Sequence, residues 1–237
     1  MTHLSISFAG DDFVLDISGA LYWPGQQCLV VADLHFEKGS AFAAQAYRPL
    51  PPHDTAQTLM QLHEVIARYQ PRQVICLGDS FHDAAASDRL NGGDLMRFRL
   101  LMDGCSWIWV TGNHDPAIPA ILGGEVVERL ESGNVVLQHD ASAESGLIFG
   151  HFHPVGLVSS NGHLIRRRCF VLGQERLLLP AFGSYAGGLN VLDPAIARLF
   201  PEGYQVVLLG HQRMHRLLPR QLRNDTSYAM SRRLPER

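Results

Sequence analysis

The sequence predicts an α/β protein built on a parallel sheet, on two grounds. Three short β-rich runs, at 27–33, 73–79 and 106–113, each end in a polar or charged residue. Continuous apolar runs of this length are typical of strands that are buried on both faces. Stretches with helical spacing lie between these runs, at about 53–69 and 87–102. Strands that alternate with helices indicate a parallel sheet with right-handed crossovers.

The first helical stretch has recognisable ends. Asp54 or Thr55 is suited to cap its N-terminus, because a side-chain oxygen there can accept a backbone N–H, and Pro71 ends it. The second stretch carries Leu90 and Phe98 at helical spacing and is expected to form one continuous helix.

A second, mostly β layer is predicted from about residue 134 onward. Short apolar runs alternate with turns there, namely VVLQH, GLIFG, LIRRRCFV, RLLLP and YQVVLLG. Since ligands gather at the carboxyl ends of strands in open α/β sheets, Asp33, Asp79 and Asn113 are expected to meet at one edge. His139 and His151 end two strands of the second layer and can reach the same edge.

The composition is that of one globular domain. The chain has 237 residues, of which 46% are hydrophobic and 18% are charged, which is ample for a core. We expect a single domain over residues 1–216 and a basic, flexible tail over 217–237, where five arginines stand against two acidic residues. The formal net charge of −3 is unlike that of a highly basic nucleic-acid-binding protein.

The sequence carries no membrane or secretion signal. No apolar run is long enough to span a bilayer, and MTHLSISFAGDDF lacks the basic region of a signal peptide. We therefore expect a cytoplasmic protein without a membrane partner. Cys28, Cys76 and Cys105 lie in or beside apolar runs, so they are expected to be small buried hydrophobic residues rather than metal or redox sites.

Five short segments carry residue types that bind metals. They are Asp33-Leu34-His35, Gly78-Asp79 with His82-Asp83, Gly112-Asn113-His114-Asp115, His139, and Gly150-His151-Phe152-His153. Phosphate ester hydrolysis needs a nucleophilic hydroxide and positive charge against the phosphoryl oxygens, and two divalent ions about 3.5–4 Å apart supply both. Ions this close need a bridging anion, for which Asp79 is the candidate. Mixed imidazole, carboxylate and amide ligation favours Mn, Fe or Zn over Ca.

These segments resemble the D-x-H, G-D, G-N-H-D, H and G-H-x-H signature of the calcineurin-like metallophosphoesterases, over residues 33–153. The resemblance implies a four-layer α/β/β/α sandwich with two facing mixed β-sheets. One metal ion would be bound by Asp33, His35, Asp79 and His153, and the other by Asp79, Asn113, His139 and His151. His114 would be the catalytic residue that faces the substrate and protonates the leaving oxygen or stabilises the transition state. Asp115 would orient His114.

A narrower resemblance covers most of the chain. The stretches ADLHFEKGSAFA, YRPLPPHDT, LGDSFHDAAASDRL, GNHDP, RRRCFV and LPAFGSYAGGLNVLDP are similar to those of the bacterial ligase-associated DNA damage response endonucleases. That family implies a Mn-dependent phosphodiesterase or nuclease that acts on DNA or a nucleotide phosphodiester, with DNA ligase or other repair enzymes as partners. The chain departs from the wider superfamily at Glu37-Lys38-Gly39, in the loop after the first motif.

Two other functions remain open on the sequence alone. A phosphomonoesterase or a small-nucleotide phosphodiesterase would use the same fold and the same ligands. A non-catalytic scaffold of a repair complex would recruit partners without hydrolysis. Degenerate scaffolds are expected to lose ligands or the catalytic histidine, whereas His114 and all seven ligand positions are present here.

Three residues beside the motifs have two interpretations. Lys38, the only lysine of the chain, can pair with a substrate phosphate or be an exposed loop cation. His82 and Asp83 can touch the substrate or hold Asp79, and the supporting role is the one we expect.

The run Arg166-Arg167-Arg168 also has two interpretations. In an alternating strand, Arg166 and Arg168 share one face and Arg167 points to the other. The shared face can follow a phosphate backbone, or the arginines can be a solvated edge that discourages aggregation. Gly210-His211 lacks a second histidine and is interpreted as a loop. Ser184 lies in a glycine-rich stretch that is expected to be a turn.

Overall fold

The computed structural model describes residues 1–44, 53–83, 85–115, 118–119 and 122–225. These residues form two mixed β-sheets, the first from the N-terminal half of the chain and the second from the C-terminal half. This confirms the predicted α/β sandwich with two sheets.

The first sheet has seven strands in chain order. They are β1 (His3–Phe8), β2 (Asp11–Asp16), β3 (Leu21–Trp23), β4 (Cys28–Ala32), β5 (Gln73–Leu77), β6 (Ser106–Val110) and β7 (Glu125–Val127). Neighbours from β1 to β4 are antiparallel, and those from β4 to β7 are parallel. The register aligns Ala32 with Leu77 and Leu77 with Val110. The carboxyl ends of β4, β5 and β6 therefore lie side by side, as predicted.

The second sheet has nine strands. They are β8 (Arg129–Ser132), β9 (Val135–Gln138), β10 (Leu147–Phe149), β11 (Pro154–Ser160), β12 (His163–Leu172), β13 (Arg176–Leu178), β14 (Leu189–Asn190), β15 (Gln205–Leu209) and β16 (Met214–Leu217). β9 and β10 run parallel, so the strands that precede His139 and His151 end on the same side. The isolated bridge from Ala32 to Ala181 joins the two halves of the chain beside Asp33.

Helices cover the outer faces of the sheets. The described helices are α1 (Lys38–Ala44), α2 (Asp54–Tyr69), α3 (Ala86–Arg89), α4 (Gly92–Met102) and α5 (Pro194–Ala197). In this part of the chain, no helix combines the length and the hydropathy that a membrane span requires.

Two details of the predicted helices are wrong. Asp54 and Thr55 do not cap α2, which begins after His53 without a side-chain cap. Asp54 accepts the Gly39 N–H at 2.8 Å and Thr55 accepts the Glu37 N–H at 2.9 Å, so their oxygens are used by the loop after β4. The single helix expected at 87–102 is divided into α3 and α4. Asn91 caps α4 by accepting the Asp94 N–H, and its own backbone is extended. Since an N-cap residue is not helical, the helix is interrupted there.

Three hydrophobic clusters define the layers. The first contains residues of both sheets, such as Val30 and Ile148, and fills the space between them. The second packs α2 and α4 on the outer face of the first sheet, through Leu62 and Phe98. The third places Ile196 of the four-residue α5 on the outer face of the second sheet. The fourth layer of the sandwich is therefore thin.

Two smaller predictions have mixed outcomes. Cys28 and Cys76 are buried, but Cys105 is only half-buried because it lies in the turn that precedes β6. The first part of the predicted tail is packed on the domain, since Leu222 is buried and the Arg223 N–H donates to the Leu157 carbonyl at 2.8 Å. Residues 226–237 of the tail, and 47–52 of the YRPLPPHDT stretch, lie outside the described residues.

Candidate metal centre

The ligands predicted from the sequence converge at one edge of the sandwich. Asp33 follows β4, Asp79 follows β5 and Asn113 follows β6, while His139 follows β9 and His151 follows β10. The Asp33 N–H donates to the backbone carbonyl of Gly78 at 3.2 Å, and the His35 N–H donates to the backbone carbonyl of Asp79 at 2.9 Å. These backbone bonds hold the first two motifs against each other.

The first cluster contains Asp33, His35 and His153, whose ligand atoms all lie within 4.8 Å of one another. His35 Nε2 and His153 Nε2 are 3.0 Å apart, and His153 Nε2 is 3.3 Å from Asp33 Oδ1. Asp33 is completely buried, at 0% exposure. A buried carboxylate with converging imidazole nitrogens needs a positive partner, which a divalent ion supplies.

The second cluster contains Asp79, His139 and His151, again within 4.8 Å of one another. Asn113 Oδ1 lies 3.0 Å from His139 Nε2 and 2.9 Å from His151 Nδ1. His139 Nδ1 donates to the Leu77 carbonyl at 3.4 Å. This bond turns Nε2 of His139 toward the cluster, as the outer hydrogen bond of a metal-binding histidine does.

Asp79 lies between the two clusters. Its Oδ2 is 3.4 Å from His139 Nε2 in the second cluster and 3.9 Å from His35 Nε2 in the first. Its Oδ1 accepts the His114 N–H at 2.9 Å. One carboxylate oxygen therefore faces both clusters while the other is held by the backbone.

The donor set fits two divalent ions. Ligands bound at about 2.1 Å to one ion lie roughly 3.0–3.4 Å apart, which is the spacing of the converging nitrogens in both clusters. Burial, reinforced by the positive charges of His153 and Lys38, lowers the pKa of His35 to about 2. His35 is consequently neutral at physiological pH and keeps the lone pair that a ligand needs.

The electrostatics of Asp79 and His139 favour positive charge between them. Burial disfavours charge on His139, but Asp79, Asp33 and the Leu77 carbonyl outweigh it and raise the pKa of His139 to about 9. Burial likewise opposes charge on Asp79, but His139, the His114 N–H and His35 lower the pKa of Asp79 to about 2. The second cluster therefore attracts positive charge, which suits a divalent ion.

The backbone at the centre is strained. Of the seven predicted ligands, five have positive φ, from 46° to 71°. They are Asp33, His35, Asp79, His151 and His153. Non-glycine residues adopt this left-handed region at a cost, and such residues cluster at functional sites.

Two motif glycines are required by close packing around the ligands. A Cβ on Gly78, whose φ is +71°, would lie 2.1 Å from His139 Nδ1. A Cβ on Gly112 would lie 2.3 Å from both the amide nitrogen and Oδ1 of Asp79. The glycines of the G-D and G-N-H-D motifs thus let the loops after β5, β6 and β9 approach one another.

A family model of calcineurin-like phosphoesterases matches residues 27–215, which is most of the chain and includes both clusters. The chain belongs to the calcineurin-like phosphoesterase family. It is therefore a hydrolase that acts on phosphate esters, and its family implies divalent metal ions, for which the two clusters are candidate sites.

Two solved structures of other proteins align with most of this chain. A nuclease named MPE from Pseudomonas putida is 27% identical, with a TM-score of 0.70, over 91% of this chain and 100% of that chain. The phosphoesterase Yfce from E. coli is 11% identical, with a TM-score of 0.39, over 81% of this chain and 98% of that chain. A search of curated proteins gave no match.

His114 lies at the exposed rim of the phosphoesterase centre. Its Nδ1 donates to the His82 carbonyl at 3.0 Å, which leaves Nε2 available to a substrate. The ring stacks on that of His82, with centroids 5.5 Å apart, and His82 stacks in turn on Phe42 at 5.9 Å. Phe42 is 42% exposed, so the stack runs from the centre to the surface.

Asp115 has a different environment from the one predicted. Its Oδ2 accepts the N–H groups of Ser80 at 2.6 Å and Phe81 at 3.0 Å, and its Oδ1 accepts that of Gly112 at 3.1 Å. Burial, together with the charge of Asp79, raises its pKa to about 6 against the effect of these bonds. Asp115 therefore joins the loops after β5 and β6, and the His82 carbonyl orients His114 instead.

His82 and Asp83 support the site, but not by holding Asp79. Burial, with the charges of Lys38 and His114, lowers the pKa of His82, so its ring is a neutral support for His114. Asp83 binds Arg89 through both oxygens, at 2.8 and 2.9 Å. This pair fixes α3 to the loop that carries His82.

The Lys38 ammonium interacts electrostatically with carboxylates of the candidate metal centre. Burial lowers its pKa, while the nearby carboxylates of Asp79, Asp33 and Asp54 oppose that shift. A half-buried lysine in this position is consistent with a role toward substrate phosphate, which stays a prediction.

Two contacts near the centre were missed in the sequence. Buried Glu37 accepts hydrogen bonds from Thr55 at 2.8 Å and Ser40 at 2.6 Å, which holds the loop that carries Lys38. Exposed Asp140 lies 3.3 Å from His151 Nδ1. The available signals were the position of Asp140 next to His139 and the departure from the superfamily pattern at Glu37-Lys38-Gly39.

Arg166 and Arg168 make backbone contacts. Arg168 donates to the carbonyls of Ala181 at 2.7 Å and Phe182 at 3.0 Å, and burial lowers its pKa. Arg166 donates to the Gly188 carbonyl and pairs with Asp225 at 3.5 Å. Both therefore support the loop between β13 and β14, the turn that was predicted around Ser184.

Proposed function

We propose that this phosphoesterase hydrolyses phosphodiester bonds of nucleic acid and that its substrate is DNA. Two divalent ions would serve the reaction, and Mn²⁺ is the first candidate. The observation that carries the proposal is the position of Asp79 Oδ2 between two clusters of ligand atoms. A shared carboxylate is the anion that two neighbouring cations require.

The proposal assigns the ligands to two ions. Asp33, His35 and His153 would hold the first ion, and Asn113, His139 and His151 the second, with Asp79 between them. When bound, two such ions supply an acidified water at neutral pH and positive charge against the phosphoryl oxygens.

The remaining steps belong to side chains at the rim. His114 presents Nε2 to the leaving oxygen because Nδ1 is engaged by the His82 carbonyl. From that position it can protonate the departing group as a general acid. Lys38 adds positive charge beside the same carboxylates, where it can attract a substrate phosphate.

Three observations favour nucleic acid over a phosphomonoester. The Pseudomonas putida protein, which is similar over its full length, is a nuclease. The exposed ring of Phe42 and its stack with His82 offer a face on which a nucleobase can stack. The narrower family resemblance implies DNA repair, with DNA ligase or other repair enzymes as partners.

The test compares three substrates with Mn²⁺: an oligonucleotide, bis(p-nitrophenyl) phosphate and p-nitrophenyl phosphate. The proposal expects cleavage of both diesters. Hydrolysis of the monoester alone would favour the phosphomonoesterase, and no hydrolysis of any ester by the metal-loaded protein would favour a non-catalytic scaffold.

His114→Ala tests the mechanism. We expect about a 10²–10⁴-fold fall in kcat with the metal content unchanged by elemental analysis, because the ring itself lies outside both clusters. His163→Ala is the matched control, since His163 is exposed at the start of β12. Wild-type kcat in metal-loaded His114→Ala would contradict this role.

A further inference from the structure

A groove lies between α2, β12 and the turn that joins β15 to β16. Its cavity volume is about 590 Å³. Among the described residues, the lining includes four arginines and one acidic residue, Glu64. The arginines are Arg68, Arg166, Arg167 and Arg168.

All three consecutive arginines line this groove, although strand alternation predicted that Arg167 would point away from the other two. Arg68 faces Asp16 at 2.6 Å and Arg166 faces Asp225 at 3.5 Å. Arg167 and Arg168 instead contact neutral groups. Because the described lining has four arginines and one acidic residue, Glu64, the groove has an excess of positive charge, and the printed contacts of Arg167 are with neutral groups alone.

Arg167 is paired with His211. The Arg167 guanidinium donates to His211 Nε2 at 2.9 Å and to the Arg166 carbonyl at 2.9 Å. Because Nε2 of His211 accepts this bond, the ring proton is on Nδ1, which becomes a second donor at the groove. The residue that appeared to be an isolated loop histidine thus orients the guanidinium.

The groove is connected to the metal centre through a single loop. Arg168 binds the carbonyls of Ala181 and Phe182, and the next residue, Gly183, donates its N–H to the Asp33 carbonyl at 3.1 Å. At the other end of the loop, the Leu189 N–H donates to the His153 carbonyl at 3.2 Å. Arg168 of the groove and the backbone of Asp33 and His153 in the first ligand cluster therefore contact the same loop.

We propose that this groove binds backbone phosphates of the nucleic acid strand whose scissile phosphate lies at the metal centre. The proposal rests on the proposed function. Guanidinium groups match phosphate oxygens in two-point contacts, and polar Gln57 and Gln61 of α2 line the opposite wall. A strand is favoured over a free phosphate because three consecutive arginines of β12 and Arg68 of α2 line one groove, which offers contacts to more than one phosphate.

The test is Arg167→Gln, with Arg167→Lys as the charge-preserving variant and Arg198→Gln as the control. Arg198 is an exposed arginine at the end of α5, outside the groove. With the metal-loaded full chain, we measure KM for oligonucleotides from two to thirty nucleotides long, as a function of salt. In Arg167→Gln we expect KM to rise about fivefold for the longest oligonucleotide and less for the dinucleotide. The slope of log KM against log salt should fall by about one.

Binding is measured separately from cleavage. Fluorescence anisotropy of a labelled thirty-nucleotide strand, without divalent ions, gives Kd for the same variants. Arg167→Gln should weaken binding at low salt, Arg167→Lys should restore part of it, and Arg198→Gln should match the wild type. Equal Kd and equal salt slope for Arg167→Gln and the wild type would overturn the groove. Failure of the proposed function would instead be seen as no hydrolysis of any diester by the wild type, whatever the Kd values.

Discussion

The two halves of the chain contribute different chemistry to the metal centre. The first sheet supplies both carboxylates and the amide, Asp33, Asp79 and Asn113, at the ends of parallel strands. The second sheet supplies only imidazoles, His139, His151 and His153, and the first half adds one more imidazole, His35. Each cluster takes ligands from both halves, so the sandwich has to close before either ion can be fully bound.

The difference has an electrostatic consequence. The first half brings buried negative charge, since Asp33 and Asp79 are 0% and 2% exposed. The second half brings nitrogen donors that can be neutral or protonated. The divalent ions that the family implies would offset the buried negative charge and be held by these nitrogen donors. Metal binding is therefore expected to stabilise the contact between the sheets.

Of the predicted changes, removal of the Asp79 carboxylate should have the largest effect on metal binding and activity. Asp79→Ala takes the shared oxygen from both clusters and leaves two cations without the anion between them, so we expect loss of both ions and an activity fall of about 10³-fold or more. His153→Ala, which changes only the first cluster, should retain one ion. Elemental analysis and diesterase assays measure both effects, with exposed Asp103→Ala as the control. Two ions bound to Asp79→Ala would contradict the bridging position.

Gly78→Ala should test how closely the halves must approach. Its Cβ would overlap His139 of the second half at 2.1 Å, and we expect a loss of roughly 2 kcal/mol or more in the free energy of unfolding. The matched control is Gly162→Ala, which also has positive φ, +78°, but has open space around the Cβ. That variant should lose only the backbone term, about 1 kcal/mol. Equal losses, measured by urea unfolding, would show that contact with His139 is unimportant.

Substitution of Asp16, which lies in the first half of the chain, should have the smallest effect, and the effect should be on stability. Burial opposes its ionisation, but the Ser18 N–H, Arg68 and Tyr69 outweigh burial and lower its pKa. A lowered carboxyl pKa gives stability that is present above the unfolded pKa and lost as pH falls through the folded one. Asp16→Asn should lower Tm near neutral pH by an amount equivalent to about 1 kcal/mol and reduce the Tm difference from the wild type below pH 4.

A pH-independent difference in Tm between Asp16→Asn and the wild type would contradict the Asp16 prediction. Hydrolysis of the small diester bis(p-nitrophenyl) phosphate should be unchanged in the same variant, because the Asp16 side chain bonds with Ser18, Arg68 and Tyr69, and none of these is a predicted metal ligand.

Much of the fold followed from pattern. The apolar runs before Asp33, Asp79 and Asn113 are β4, β5 and β6, because strands buried on both faces leave a plain signature. The break between α3 and α4 was missed, although Asn91 followed by two glycines is a local sign of a cap. The capping roles given to Asp54 and Thr55 failed because their oxygens bind a loop that is distant in sequence.

The sequence by itself determined which residue types are available for two metal ions, because hydrolysis chemistry allows few types and strand ends place them. Only the tertiary structure decided which backbone groups meet those side chains. Asp115 holds three amides, the His82 carbonyl holds His114, and Arg168 is turned inward to Ala181. Such contacts depend on the path of loops from distant parts of the chain, and hydrogen bonds form over distances that no local pattern specifies.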